Sequence, residues 1–128
     1  MYSLLLLAIR CLLDMTKTIF EKIIDRELPA NIVFEDDKCI VIEDKFPKAP
    51  IHLLIIPKKP IKKLSEAENE DKDLLGHLMM VIKDVSEKLN IDDAFNIVIN
   101  NGEKAGQTVF HLHLHLLAGK NFSDLFPG

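Results

Sequence analysis

Apolar and polar positions follow two different periods along this chain. In the segment 16–25, Ile19, Phe20, Ile23 and Ile24 recur at helical spacing, with Thr16 as a candidate cap, and Pro29 closes the segment. Residues 31–34 and 38–43 read as two strands joined by the acidic turn Glu35-Asp36-Asp37. Residues 44–50 carry Pro47 and Pro50 and predict a loop. Residues 51–56 are then apolar except for His52, the pattern of a central strand. Ser65 and Glu68 stand in capping-box order. Behind them Leu74, Leu75, Leu78, Met79, Ile82, Val85 and Leu89 form one stripe at helical period, predicting the longest helix, to about Asn90. Residues 94–99 predict another strand, 100–106 a glycine-bearing loop, and 108–117 a last strand. The fold class predicted is α+β: a meander-like, mainly antiparallel sheet with one long and one short helix.

The last strand has an unusual polar face. His111, His113 and His115 alternate with Leu112, Leu114 and Leu116. On a strand, alternate positions share a face, so three imidazoles stand opposite three leucines. Burying imidazoles costs free energy unless each has a partner, so a row of three asks for a chemical explanation. A polar face satisfied by hydrogen bonds would account for one stray histidine, less well for three in register. A single metal held by all three is disfavoured: they spread over roughly 13 Å of strand, whereas zinc holds its nitrogens at about 2 Å. Imidazole also titrates near neutrality and can carry protons or attack phosphorus. The upstream Gly102, Gly106, Gln107 and Thr108 could offer backbone N–H groups and a hydroxyl to an anion.

Composition narrows the class without adding chemistry. A chain of 128 residues, 48% hydrophobic and 28% charged, is one ordinary globular domain. A net charge of -4 gives no basic footprint for nucleic acid. Lys58, Lys59, Lys62 and Lys63 are offset by the acid-rich stretch 66–73. Cys11 and Cys39 make no disulfide framework and read as reduced thiols, which places the protein in the cytoplasm. Residues 1–14 hold the apolar run 4–9, too short to span a membrane and a poor signal peptide. Met15 is a candidate biological start, with 1–14 an upstream extension and 15–128 the domain; native protein beginning at Met1 would refute this. A short helix packing on the domain or on a neighbour is the alternative.

The pattern His111-x-His113-x-His115 with apolar spacers resembles the signature of the histidine triad (HIT) superfamily. Residues 49–59, with His52, and the segments 18–24 and 74–79 are similar to its Hint branch. The resemblance covers about residues 16–128. It implies a purine nucleoside monophosphate (AMP- or GMP-like) ligand and hydrolysis of nucleoside 5'-phosphoramidates through a nucleotidyl-histidine, without metal or cofactor. It implies His113 as nucleophile, His115 as phosphate ligand, and His111 in a relay with His52. It assigns Asp44 to the ribose, Asn100 to the sugar and phosphate, and Gly106, Gln107 and Thr108 to the phosphate-side loop. Phe20, Ile23, Leu28 and Ile42 would line the base pocket, and His77 would be structural or solvated. Some Hint proteins carry a C-terminal tryptophan; this chain has none, with Phe122, Leu125 and Phe126 as stand-ins. Ile42, Glu43 and Lys45 also depart from common family residues. A homodimer is implied, through the long helix and strand 94–99, with neither membrane nor nucleic acid as partner. The rivals are a Fhit-like dinucleoside polyphosphate hydrolase, a nucleotide-binding adaptor with incidental catalysis, and a metal-binding protein.

Overall fold

The computed structural model describes Leu4 and residues 16–125. The apolar run and extension at 1–14, Cys11, the start at Met15 and the stand-in Phe126 fall outside those residues, Leu4 excepted. Helix α1 spans Ile19–Ile24, and its cap is Thr18 rather than Thr16. Thr18 Oγ1 accepts from the Glu21 N–H at 3.2 Å, and the Glu21 carboxylate accepts from the Thr18 N–H at 3.4 Å. This reciprocal box satisfies two donors that a helix start leaves unpaired. The helix stops before Pro29, where Arg26 takes a left-handed φ of 65°.

Strands β1 (Ile32–Glu35), β2 (Cys39–Glu43) and β3 (Ile51–Pro57) follow. The β1–β2 turn is fixed by Asp36, whose Oδ1 accepts from the N–H groups of Lys38 and Cys39, both at 2.8 Å. Helix α2 spans Lys72–Lys88. The capping box near it is formed by Glu68 and Asp71, on a short turn, not by Ser65 and Glu68. Strand β4 is Asn96–Val98 and β5 is Leu114–Ala118. The segment 108–113, read as part of the last strand, is not strand at all.

All pairings are antiparallel, in the order β1-β2-β3-β5-β4. The first three strands run as a meander. The chain then crosses through α2 to the outer edge and returns, inserting β5 between β3 and β4. Alternation gives the sheet two apolar faces. Cys39, Val41, Leu53, Ile55, Leu112, Leu114 and Leu116 pack with Leu78, Val81, Ile82 and Val85 of α2. Ile40, Ile42, Leu54 and Ile56 pack with Phe20 and Ile23 of α1. Each buried Leu or Ile contributes about 1.5–3 kcal/mol. Val81 belongs to the α2 stripe, whereas Met79 and Leu89 lie at the surface. Of the lysine cluster, Lys59 pairs with Asp71 and Glu70 of the acid-rich stretch, whereas Lys58 pairs with Glu35 at 2.9 Å. Among the described residues no helix is long and apolar enough to cross a membrane.

Candidate active site

The histidines gather on the α1 face of the sheet, where β3 and β5 lie side by side. Leu54 pairs with His115 and His52 with Leu117, so His52 and His115 are diagonal neighbours on one face. Their rings meet, His52 Nε2 to His115 Nδ1 at 2.9 Å. This replaces the expected relay between His111 and His52. His111 instead donates from Nε2 to the Pro57 carbonyl at 2.7 Å, leaving its buried Nδ1 without a partner. His111 therefore anchors the segment before β5 to the end of β3.

The hydrogen bonds fix which nitrogen carries each proton. A carbonyl can only accept, so His113 Nδ1 is protonated where it lies 2.7 Å from the His111 carbonyl. In the neutral ring Nε2 then keeps a lone pair. His52 Nδ1 accepts from the Lys48 N–H at 3.0 Å, so His52 Nε2 bears the hydrogen. That hydrogen is donated to His115 Nδ1, which leaves His115 Nε2 protonated. The arrangement thus holds one nucleophilic nitrogen, on His113, and one donor, on His115, in rings whose centroids are 5.1 Å apart.

The surroundings favour the neutral form of all four rings. Burial lowers the pKa of His52, His111 and His113. Burial, with His113 and His52 close by, lowers His115 to about 4. Phe20 packs edge-on against His113, with centroids 4.8 Å apart. Ile23 and Ile42 complete the same apolar cluster. Leu28 does not: it is 39% exposed and stands outside that cluster.

Asp44 Oδ2 lies 3.4 Å from His52 Nε2, and its Oδ1 accepts from the Phe46 N–H at 2.8 Å. Asp44, His52 and His115 offer ligand atoms within 4.8 Å of one another, a set able to hold a metal ion. The phosphate-side loop differs from its expected form. The N–H groups of Gly102, Gly106 and Gln107 are all taken up inside the loop, by Gln107 Oε1, Glu103 and Gly102 respectively. Gln107 is buried, and its Nε2 donates to the carbonyls of Lys62 and Val109. The Asn100 amide likewise donates to Ala105 at 2.8 Å. Gly106, Gln107 and Asn100 therefore build the loop, while Thr108 is exposed beyond it. Among the tail residues, Leu125 is exposed and Phe122 lies under the Lys120 ammonium.

The sequence pattern did not single out Lys48 or Pro57, which act through the backbone. The proline-bounded loop before His52 was the available signal for Lys48. His77 is structural, pairing with Asp36 at 2.6 Å.

Residues 25–122 match the HIT domain family, and the chain belongs to it. An uncharacterised HIT-like protein of Synechocystis sp. is 58% identical over 106 residues, 83% of this chain and 93% of that protein. An uncharacterised HIT-like protein of Chlamydia muridarum is 50% identical over 102 residues, covering 80% and 81% of the two chains. Among solved structures, a HIT family hydrolase from Clostridium thermocellum matches with TM-score 0.81 and 42% identity, covering 84% of this chain and 94% of its own. A histidine triad nucleotide-binding protein from Candida albicans matches with TM-score 0.75 and 34% identity, covering 82% and 76%.

Proposed function

We propose that this protein is a Hint-type nucleotide hydrolase that cleaves purine nucleoside 5'-phosphoramidates at the P–N bond. The observation that carries it is the division of protons between His113 and His115. His113 Nε2 holds a lone pair for the α-phosphorus, and His115 Nε2 holds a hydrogen for the leaving amine.

In the first step the His113 Nε2–P bond forms and the P–N bond to the amine breaks; the His115 Nε2–H hydrogen-bonds the leaving nitrogen, and the amine takes its proton from solvent. The His111 carbonyl, already accepting from His113 Nδ1, stabilises the positive ring. In the second step water attacks phosphorus and gives up its proton to solvent, and the electron pair of the P–N bond goes back to His113. The products are the nucleoside monophosphate and the amine. Phe20, Ile23 and Ile42 support an apolar seat for the base, Asp44 a carboxylate for the ribose hydroxyls, and Thr108 a hydroxyl for the phosphate. The hydrolase and nucleotide-binding names of the solved relatives favour the same chemistry.

A homodimer accompanies this reading. Strand β4 is a sheet edge carrying exposed Ile97, and α2 exposes Met79 and Met80. Sedimentation at the mass of two chains is the expected result. The activity is tested by intact mass spectrometry after brief mixing with an adenosine phosphoramidate. A nucleotidyl adduct is expected on the native chain and none on His113→Ala. An adduct surviving in His113→Ala, or faster turnover of a diadenosine polyphosphate than of the phosphoramidate, refutes it.

A further inference from the structure

A second cluster of metal-type ligands lies on the opposite face of the sheet from the histidine site. Asp36 sits in the β1–β2 turn, Cys39 opens β2, and His77 projects from α2 onto both. One carboxylate oxygen, one sulfur and one ring nitrogen lie within 4.8 Å of one another. We infer that Asp36, Cys39 and His77 form a binding site for a zinc-like divalent cation that clamps α2 to the β1–β2 turn.

The donor set has the chemistry of zinc: one thiolate, one imidazole and one carboxylate, with a place left for water. Thiolate and carboxylate together neutralise the charge of a divalent ion. Ligand atoms around tetrahedral zinc stand about 3.5 Å apart. That lies between the 2.6 Å Asp36–His77 contact and the 4.8 Å limit of the cluster, so only small side-chain shifts are needed. The Asp36 Oδ1 is already held by two backbone N–H groups, which leaves Oδ2 aimed at the centre of the cluster. Cys39 is fully buried, whereas the Asp36 and His77 side chains are 23% and 30% exposed, so the ion has an entry path on one side. On binding, the Sγ–metal bond forms and the Cys39 proton leaves to solvent. The His77 ring coordinates through Nε2 and carries its hydrogen on Nδ1. No oxidant or second reactant is involved.

Cobalt(II) is the probe, titrated into the chelator-stripped full chain. One equivalent is expected to produce a thiolate-to-cobalt charge-transfer band and the visible bands of tetrahedral cobalt, both displaced by zinc. The bands should vanish in Cys39→Ser and in His77→Gln, a part-exposed position whose change leaves the core intact. They should persist in Cys11→Ser and in His115→Asn. Zinc should raise the melting temperature of the native chain but not of His77→Gln. Absence of the charge-transfer band overturns the site. So does binding lost in His115→Asn but kept in Cys39→Ser, which places the ion at Asp44, His52 and His115.

Discussion

His52 Nε2 stands 2.9 Å from His115 Nδ1, across two strands whose register makes the residues diagonal rather than paired. The bond determines which nitrogen of His115 bears a hydrogen. His52→Ala frees that choice and lets the ring turn. A misplacement of this size is expected to reduce kcat by about 100-fold, with KM little changed. His52 acts through His115, so the loss should grow with the basicity of the leaving amine, and His52→Gln should recover part of it. A loss independent of leaving group in steady-state assays would contradict this role.

The four neutral imidazoles couple stability to pH. For His115 the folded pKa is about 4, against 6.5 for the free side chain. Between those values the unfolded chain binds more protons than the folded one, so stability rises with pH across that window. The lowered pKa values of His52, His111 and His113 act in the same sense. Asp36 adds a lower window. Burial works to raise its carboxyl, but the Lys38 and Cys39 N–H groups and His77 outweigh it and hold it at about 2. Urea unfolding at a series of pH values should give a free energy that falls steadily below pH 6.5. His115→Asn should fall less steeply. An unfolding free energy constant from pH 7 to pH 5 would disprove the coupling.

The alternation of leucine and histidine at 111–116 correctly separated the two faces, although β5 begins only at Leu114. Leu112 and the histidines before the strand keep the alternation because Leu112 N–H is tied to the Ile61 carbonyl and His111 to Pro57. What could not be read was which histidine met His52. Positions 52 and 115 are 63 residues apart, and their contact depends on the β3–β5 register, which no local pattern states. Partners on the backbone are invisible for the same reason. The resemblance implies Gln107 for the phosphate-side loop, but the burial of its side chain is set by the carbonyls of Lys62 and Val109, which lie outside any local pattern. The cap at Thr18 was legible in principle, since Glu21 stands three residues on.

Gln107 makes three hydrogen bonds, to the Gly102 N–H at 2.8 Å and to the carbonyls of Lys62 and Val109 at 2.8 and 3.0 Å. Each such bond contributes about 0.5–1.5 kcal/mol, and unmaking them leaves buried groups unpaired. Gln107→Ala should therefore cost about 2–4 kcal/mol in denaturant unfolding. Thr108 follows directly, so KM for a phosphoramidate should rise as well. Unchanged stability with a raised KM would return Gln107 to the role of a direct ligand.

Gly119 and Gly102 allow backbone strain to be separated from collision. Both have positive φ, 96° and 92°. A Cβ at Gly102 meets nothing within 4 Å, whereas one at Gly119 comes to 2.9 Å from Pro50 Cβ. Gly102→Ala should cost about 1–3 kcal/mol, from conformation alone. Gly119→Ala adds the cost of overpacking, about 1–3 kcal/mol more. Pro50 closes the loop that carries Lys48, whose N–H holds His52 Nδ1. The collision should therefore reach the His52–His115 pair and lower kcat, which Gly102→Ala should leave near its native value. Paired unfolding curves and turnover rates for the two variants measure both effects. Equal losses in the two would mean that Pro50 yields freely and that the loop does not transmit to His52.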